Sequence, residues 1–271
     1  MPGHISSRMS NVQLPRLQSQ IKALMNHFTE EDIFRDSLLS LLNIYSQKKS
    51  SQKLRFDRKF SVPSFQIPSI VLSELNSNFE QAARDYPNVS FKHSEVLGNM
   101  DFPETKLLAF TLLMALPSSY HDEVFERLPK IIHQDNAEEL NEKFLDCLEE
   151  NPAIMLSEKW LELIENWLLS ENLQTKKIGV SALTRLIQNK KFDYFPKIFR
   201  LLTPLFSEPK IEIRHDLMEI VTAMISRTEP ETASFLISIA KLHANDENRV
   251  FIRKCLPLFN TNLQDEIKDA L

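Results

Sequence analysis

Apolar side chains recur every three or four residues along most of this chain, which is the period of an amphipathic helix. The clearest stripe lies in the segment from Ile211 and comprises Ile213, Leu217, Ile220, Val221 and Met224. No segment alternates for long between apolar and polar residues, as a half-buried strand would. The pattern therefore predicts an all-α protein with negligible strand.

The N-terminal part combines helical patterns with two stretches that lack them. Residues 1–13 are expected to be disordered, and residues 14–47 to form a helical part. Within that part, amphipathic helices are predicted over residues 15–28 and 30–45. The basic and polar residues 48–60 are predicted to form a flexible linker, or alternatively an arm that contacts phosphates.

Two prolines follow the linker and delay the next helix. Pro63 and Pro68 forbid a regular helix before Ser69, because proline has no backbone N–H and restricts the residue before it. A helix is expected from Ser69 toward Tyr86, and Pro87 is expected to end it.

From residue 102 onward, helix starts recur at intervals of 34 to 37 residues. They are expected near Pro103, Ala137, Leu173, Lys210 and Glu247. Within each interval the chain turns back at a short break: residues 117–119, Asn151-Pro152, Asn189 and residues 228–230. One helical hairpin per interval is typical of an α-solenoid, because a single hairpin cannot bury its apolar face alone. We therefore predict an α-α superhelix of HEAT-like repeats, a single domain over residues 14–271 with repeats from residue 61. A bundle of unrelated helices is the alternative.

Glycine is scarce, and this narrows the classes of function. The chain of 271 residues has three glycines, at positions 3, 98 and 179, where average usage would give roughly nineteen. Glycine-rich loops that cradle phosphates need several glycines in one short run, and no such run occurs. A nucleotide-binding α/β enzyme is therefore not expected.

Cysteine content, hydropathy and charge indicate the compartment of the protein and the types of partner that it can bind. Cys147 and Cys255 lie in apolar helical segments and are predicted to be buried thiols in a reducing compartment. No zinc-binding spacing occurs, and no apolar run approaches the roughly twenty residues that span a bilayer. We therefore expect a cytoplasmic protein without a metal, a small-molecule cofactor or a membrane partner. The net charge of −5 gives no overall attraction to nucleic acid.

Four segments together resemble the DNA alkylation repair family, the AlkD-like alkylpurine-DNA glycosylases built from HEAT-like repeats. They are FSVPSFQIPSIVL, FPETKLLAFTLLMAL, NWLLSENLQTKKIGVSAL and PKIEIRHDLMEIV with the helices after it. The resemblance covers roughly residues 60–257 and implies the HEAT-like scaffold. Trp167 matches the structural tryptophan of the family, which implies a core residue, and a platform for a nucleobase is the alternative.

The chain departs from the family at the catalytic cradle. Active members carry a Trp-Trp-Asp stretch, whose aromatic rings and carboxylate hold the cationic modified base. The matching stretch here, HQDNAEELNEKFLDCL, has no tryptophan; Asp135 and Glu138 are candidate carboxylates without an aromatic partner. The resemblance therefore implies the scaffold without the cradle, and no catalytic residue is assigned.

Basic residues recur near the starts of several repeats. Lys176 and Lys177 occupy the place of the family's basic pair, while Lys106, Arg214 and Arg253 come early in other repeats. Such residues would form a stripe along a groove and contact a phosphate backbone. The alternative is that these charges are simply solvated. The acidic run DNAEELNEK is interpreted as a solvated helical face, with a partner-binding acidic patch as the alternative.

Three functions remain open on the sequence. The first is a non-catalytic scaffold that binds nucleic acid, such as damaged or branched DNA, in a concave groove. The second is an active glycosylase that excises alkylated purines, and the third is a protein–protein interaction solenoid, favoured by the isoelectric point of about 5.9. The first and third are distinguished by whether the five basic residues line one groove.

Overall fold

The computed structural model describes residues 12–46, 63–133, 135–243 and 245–271, and every regular element within these ranges is helical. The prediction of an all-α protein is confirmed. The expectations for residues 1–11 and for the linker over residues 48–60 fall outside these ranges. By its internal contacts the chain divides into two compact units, and the division along the sequence falls between Ile131 and Ile132.

The first unit contains six of the described helices. They are α1 (Leu14–Met25), α2 (Glu31–Tyr45), α3 (Ser69–Asp85), α4 (Pro87–Gly98), α5 (Pro103–Met114) and α6 (His121–Ile131). Its core is centred on aromatic rings. Phe28, Phe34 and Phe79 are almost fully buried, and their ring centroids lie 5.0 to 6.4 Å apart.

The second unit contains the remaining eight described helices. They are α7 (Glu138–Glu149), α8 (Pro152–Met155), α9 (Glu158–Leu169), α10 (Leu173–Gln188), α11 (Phe195–Ser207), α12 (Arg214–Leu242), α13 (Asp246–Cys255) and α14 (Thr261–Asp269). Fully buried aliphatic side chains from several of these helices form its core, for example Ile164, Leu183, Leu202, Leu217 and Leu236.

Most predicted boundaries agree with the structure. Helices α5 and α10 begin at the predicted Pro103 and Leu173, and α7 and α13 begin within one residue of the predicted positions. Helix α12 begins at Arg214, because a 3-10 turn over Ile211–Ile213 precedes it. The break expected at residues 228–230 is a kink at Thr228, whose φ of −157° and ψ of 71° are not helical. This kink divides α12 into two arms.

Helix α4 was not predicted, and its composition explains why. Pro87 ends α3 as expected, but it also occupies the first turn of α4, where its missing N–H costs no hydrogen bond. The buried side of α4 then carries Ser90, His93 and Ser94 beside a single leucine. A helix whose buried side is mostly polar gives no apolar stripe to detect.

Asparagine and serine side chains begin most helices of the second unit. Each accepts a hydrogen bond from the backbone N–H three residues later: Asn151, Ser157, Asn172, Asn245 and Asn260. Such a cap typically contributes about 1 kcal/mol. The exposed N–H donors at these helix starts are therefore satisfied by side chains, and neither of the described glycines, Gly98 and Gly179, has a positive φ.

Helix α10 is central to the second unit, since it packs against α7, α9 and α12. It approaches α9 closely at Gly179. A Cβ atom at position 179 would lie 3.0 Å from the backbone N of Leu168 and 3.0 Å from the Cβ of Trp167. Neither atom is the end of a flexible side chain, so the glycine is required by the spacing of the two helices.

Gly179→Ala is expected to destabilise the protein by about 1 to 2 kcal/mol, because the overlap with α9 outweighs the helix propensity that alanine adds. The matched control is Gly98→Ala at the end of α4, where a Cβ would meet its nearest neighbour at 3.5 Å. There the added propensity should stabilise by about 0.5 to 1 kcal/mol. Urea unfolding of both variants measures the difference, and equal effects would contradict the close approach.

Candidate interaction face

The structure distributes the five predicted basic residues over both units. Lys106 lies on α5 in the first unit, whereas Lys176, Lys177, Arg214 and Arg253 lie in the second. Arg214 holds the start of α12, because its Nε donates to the carbonyl of Pro209 at 2.8 Å. Its guanidinium also pairs with Glu247 at 3.2 Å. The five residues lie in two units and Arg214 already has partners, so a basic stripe that binds phosphates stays a prediction.

Helices α7 and α10 and the first arm of α12 line two adjoining cavities of the second unit. One measures about 280 Å³ and the other about 340 Å³. Glu142 and Ser181 line both cavities, so the two are neighbours. The carboxylates of this surface, hereafter the acidic face, are Glu138, Glu142, Asp146, Glu149, Asp216 and Glu219.

Arg185 on α10 stands at the centre of the acidic face. Its guanidinium Nη2 donates to Glu142 Oε2 at 2.6 Å and to Asp146 Oδ1 at 2.7 Å, and its Nε lies 3.2 Å from Glu149 Oε1. Burial opposes the charged form, but the hydrogen bonds that Arg185 donates to Asp146 and Glu142 raise the pKa of Arg185 above its ordinary value. This arginine is therefore a permanent cation that joins α10 to α7.

Negative charge remains in excess on the acidic face. Its six carboxylates are opposed by two lining cations, Arg185 and Lys177, which leaves a formal charge of −4 among the lining residues. The pKa of Asp216 is raised, first by burial and then by Glu219 and Glu142, although Lys177 and His215 lower it. The carboxylates thus act on one another across α7 and α12.

Part of this surface follows from the sequence, and part was missed. Glu138 and Glu142 belong to the run DNAEELNEK, for which a partner-binding patch was the alternative interpretation. Asp146 and Glu149 were not singled out, although positions 142, 146 and 149 follow the spacing of one helical face. Asp216, Glu219 and Arg185 join the surface only because α10 lies between α7 and α12.

The candidate catalytic positions do not form a cradle for a base. The side chain of Asp135 is 82% exposed, and Glu138 lies in the larger cavity, whose lining has no aromatic ring. Trp160 and Trp167 are buried in α9, with edge-to-face rings 5.5 Å apart. Trp167 is therefore a core residue and presents no open face to a nucleobase.

The two cysteines differ, and one prediction was wrong. Cys255 is buried as predicted, and burial raises its thiol pKa to about 12. Cys147 is exposed, because the buried side of α7 is formed by Phe144, Leu145 and Leu148. Within the described residues, no three histidine, cysteine, aspartate or glutamate side chains are grouped so that they could hold a metal ion.

No helix in the described ranges is both long and apolar enough to cross a bilayer. The resemblance to the DNA alkylation repair family rests on the four sequence segments and stays a prediction. In comparisons with family models, curated proteins and solved structures, nothing matched this chain.

Proposed function

We propose that this chain is a HEAT-like α-α superhelix that acts as a protein-interaction scaffold and binds a basic segment of a partner on its acidic face. The regular succession of hairpins supports the repeat architecture. Helices α5, α7, α10, α12 and α13 begin at successive intervals of 35, 35, 41 and 32 residues. Helices α7, α10 and α12 then pack side by side, as the first helices of stacked hairpins would.

The observation that carries the proposal is the charge of the acidic face. A phosphate backbone laid on this surface would meet six carboxylates and two cations, whereas a chain of lysine and arginine side chains would be attracted. The cavities provide room for such side chains between the helices. Within the described part of the second unit, this surface combines concavity with an excess of one charge.

The spacing of the carboxylates suggests the form of the bound segment. Glu138 and Glu149 stand at opposite ends of α7, which corresponds to about 16 Å at the rise of an α-helix. An extended peptide advances about 6.6 Å for every two residues. Basic residues at alternate positions of a short extended segment would therefore face successive carboxylates along α7.

Nucleic-acid binding remains the second function, favoured by basic residues outside the acidic face that are at least partly accessible to solvent. Arg253 is exposed on α13 and has no partner among the described residues, and Lys176 is half-buried near the start of α10. Binding through such residues would have to overcome the net charge of −5. The affinity for nucleic acid is expected to fall steeply as the salt concentration rises.

The test compares two fluorescent probes in anisotropy titrations, an arginine-rich peptide and a DNA duplex. The peptide should bind in the micromolar range and weaken with salt, and the charge-reversal variant Glu138→Lys/Glu219→Lys should weaken it at least about tenfold. Both positions lie outside the ion cluster of Arg185, so the change should leave the fold intact.

The control is Glu162→Lys/Glu266→Lys, which makes the same change of net charge at exposed positions of α9 and α14, away from the acidic face. If both double variants weaken the peptide equally, the acidic face is not its site. If instead the duplex binds more tightly than the peptide and Lys176→Glu/Lys177→Glu abolishes that binding, nucleic acid is the better assignment.

A further inference from the structure

A histidine is buried in the aromatic core of the first unit. His93 on α4 is 1% exposed, and its ring centroid lies 4.9 Å from that of Phe28 and 4.4 Å from that of Phe34. Phe79 of α3 completes this cluster at 5.6 Å from Phe34. The imidazole is therefore surrounded mainly by groups that cannot solvate a charge.

The same histidine joins α4 to the turn between α1 and α2. Its Nε2 lies 2.7 Å from the carbonyl oxygen of Phe28, a residue of that turn. A carbonyl only accepts hydrogen bonds, so Nε2 carries the proton and the neutral ring has its lone pair on Nδ1. This bond links residues 65 positions apart and fixes the turn against α4.

Protonation of Nδ1 would place a charge inside this cluster. Burial lowers the pKa of His93, and it outweighs the hydrogen bond to Phe28 and the carboxylate of Glu31, which both raise it. Among the described residues, Glu31 of α2 is the charged group that acts on His93. The other titratable groups around the cluster have partners of their own or lie at its exposed edge.

Those groups belong to the elements packed around α4. His27 and Glu30 in the α1–α2 turn pair with each other at 2.9 Å and are about half exposed. Tyr86 at the end of α3 is 51% exposed.

Glu95 on α4 itself pairs with Arg127 of α6 at 2.8 Å. Glu104 of α5 is buried, but its Oε1 accepts hydrogen bonds from Ser64 and from the backbone of Gln66.

We propose that His93 is a proton-sensitive latch, whose protonation favours opening of the α1–α2 hairpin away from α3 and α4 as the pH falls below about 6.5. The inference concerns the first unit and does not depend on the proposed function of the acidic face. When the hairpin opens, the ring gains water and recovers the ordinary histidine pKa of about 6.5. The open state thus takes up the proton more readily than the closed state.

The direction of the effect follows from this difference. Above about pH 6.5 both states are neutral and the closing equilibrium is constant. Below it the open state is protonated first, so closure weakens until the pH reaches the lower pKa of the closed state. One proton changes the equilibrium by at most about tenfold per pH unit.

Hydrogen exchange of the full chain tests the latch. After correction for intrinsic rates, protection of the α1 and α2 amides should fall several-fold between about pH 7 and about pH 5.5. In His93→Gln the amide can still donate to the Phe28 carbonyl but does not titrate, so the protection of these helices should be nearly independent of pH. The matched control His27→Gln removes an exposed histidine of the α1–α2 turn, and its amide protection should depend on pH as in the unaltered protein.

Histidine NMR of the unaltered protein gives a second measurement that does not require a variant to fold. The His93 ring should titrate below the ordinary histidine pKa of about 6.5, and the loss of amide protection in α1 and α2 should level off near the pH of that titration. Constant protection over this range, a response that persists in His93→Gln, or a His93 that titrates at 6.5 or above would each overturn the latch.

Discussion

Arg227→Ala is expected to lower the free energy of unfolding of the protein by about 3 kcal/mol. The guanidinium of Arg227, at the end of the first arm of α12, donates to three backbone carbonyls. These are Ile187 at 2.6 Å, Asn189 at 2.7 Å and Phe192 at 2.6 Å. All three lie at or just after the end of α10, where carbonyl groups have no partner within the helix.

Two controls separate this role from the mere loss of a charge. Arg227→Lys keeps the charge, but a single ammonium group cannot reproduce the planar donors of a guanidinium, so an intermediate loss is expected. Arg253→Ala removes an exposed arginine without a partner among the described residues and should change stability by less than about 0.5 kcal/mol. Urea unfolding that gives equal losses for Arg227→Ala and Arg253→Ala would refute the assignment.

Arg185→Met should have the second largest effect, about 2 kcal/mol of destabilisation at neutral pH and low salt. The methionine fills similar space but leaves Glu142, Asp146 and Glu149 without their common cation. This magnitude allows for solvent screening, because the three carboxylate side chains are 39%, 66% and 48% exposed. The defect should shrink at high salt, which screens the repulsion.

The same variant distinguishes stability from binding. Because the acidic face becomes more negative, Arg185→Met should bind the arginine-rich peptide more tightly while it unfolds more easily. Its stability defect should also diminish as the pH falls through the range in which carboxylates take up protons. Denaturation at two pH values tests the change in stability. Peptide titration under conditions in which the variant is folded tests the change in affinity. A variant that loses stability and peptide affinity together would contradict the proposed role of the face.

The sequence predicted the helices better than the surface they form. Helix starts follow from local chemistry, such as Pro103 at a first turn and Asn172 as a cap. Each of these signals lies within a few residues of the helix start that it marks. The contact of Arg185 with Glu142 joins positions 43 residues apart. The packing of α7 against α10 creates that contact, and periodicity reports only which side of each helix is buried.

The two features that the sequence did not predict, helix α4 and the exposure of Cys147, have equally local causes. Helix α4 buries serine and histidine, so its pattern resembles that of a polar segment. Cys147 was taken as buried because its segment is apolar, yet it falls between the inward positions Phe144 and Leu148. In both cases a residue type was a poorer guide than its angular position on the helix.

The contact between Gly179 and Trp167 has a consequence for how this sequence can diverge. A side chain at position 179 would enter space held by the backbone of α9, so the two helices would have to separate. Separation would in turn loosen the edge-to-face pair of Trp167 and Trp160. Among descendants of this chain, we expect changes at these three positions to occur together, whereas the exposed side of α9 drifts freely. A shared substitution pattern of this kind would identify relatives whose overall sequences no longer align.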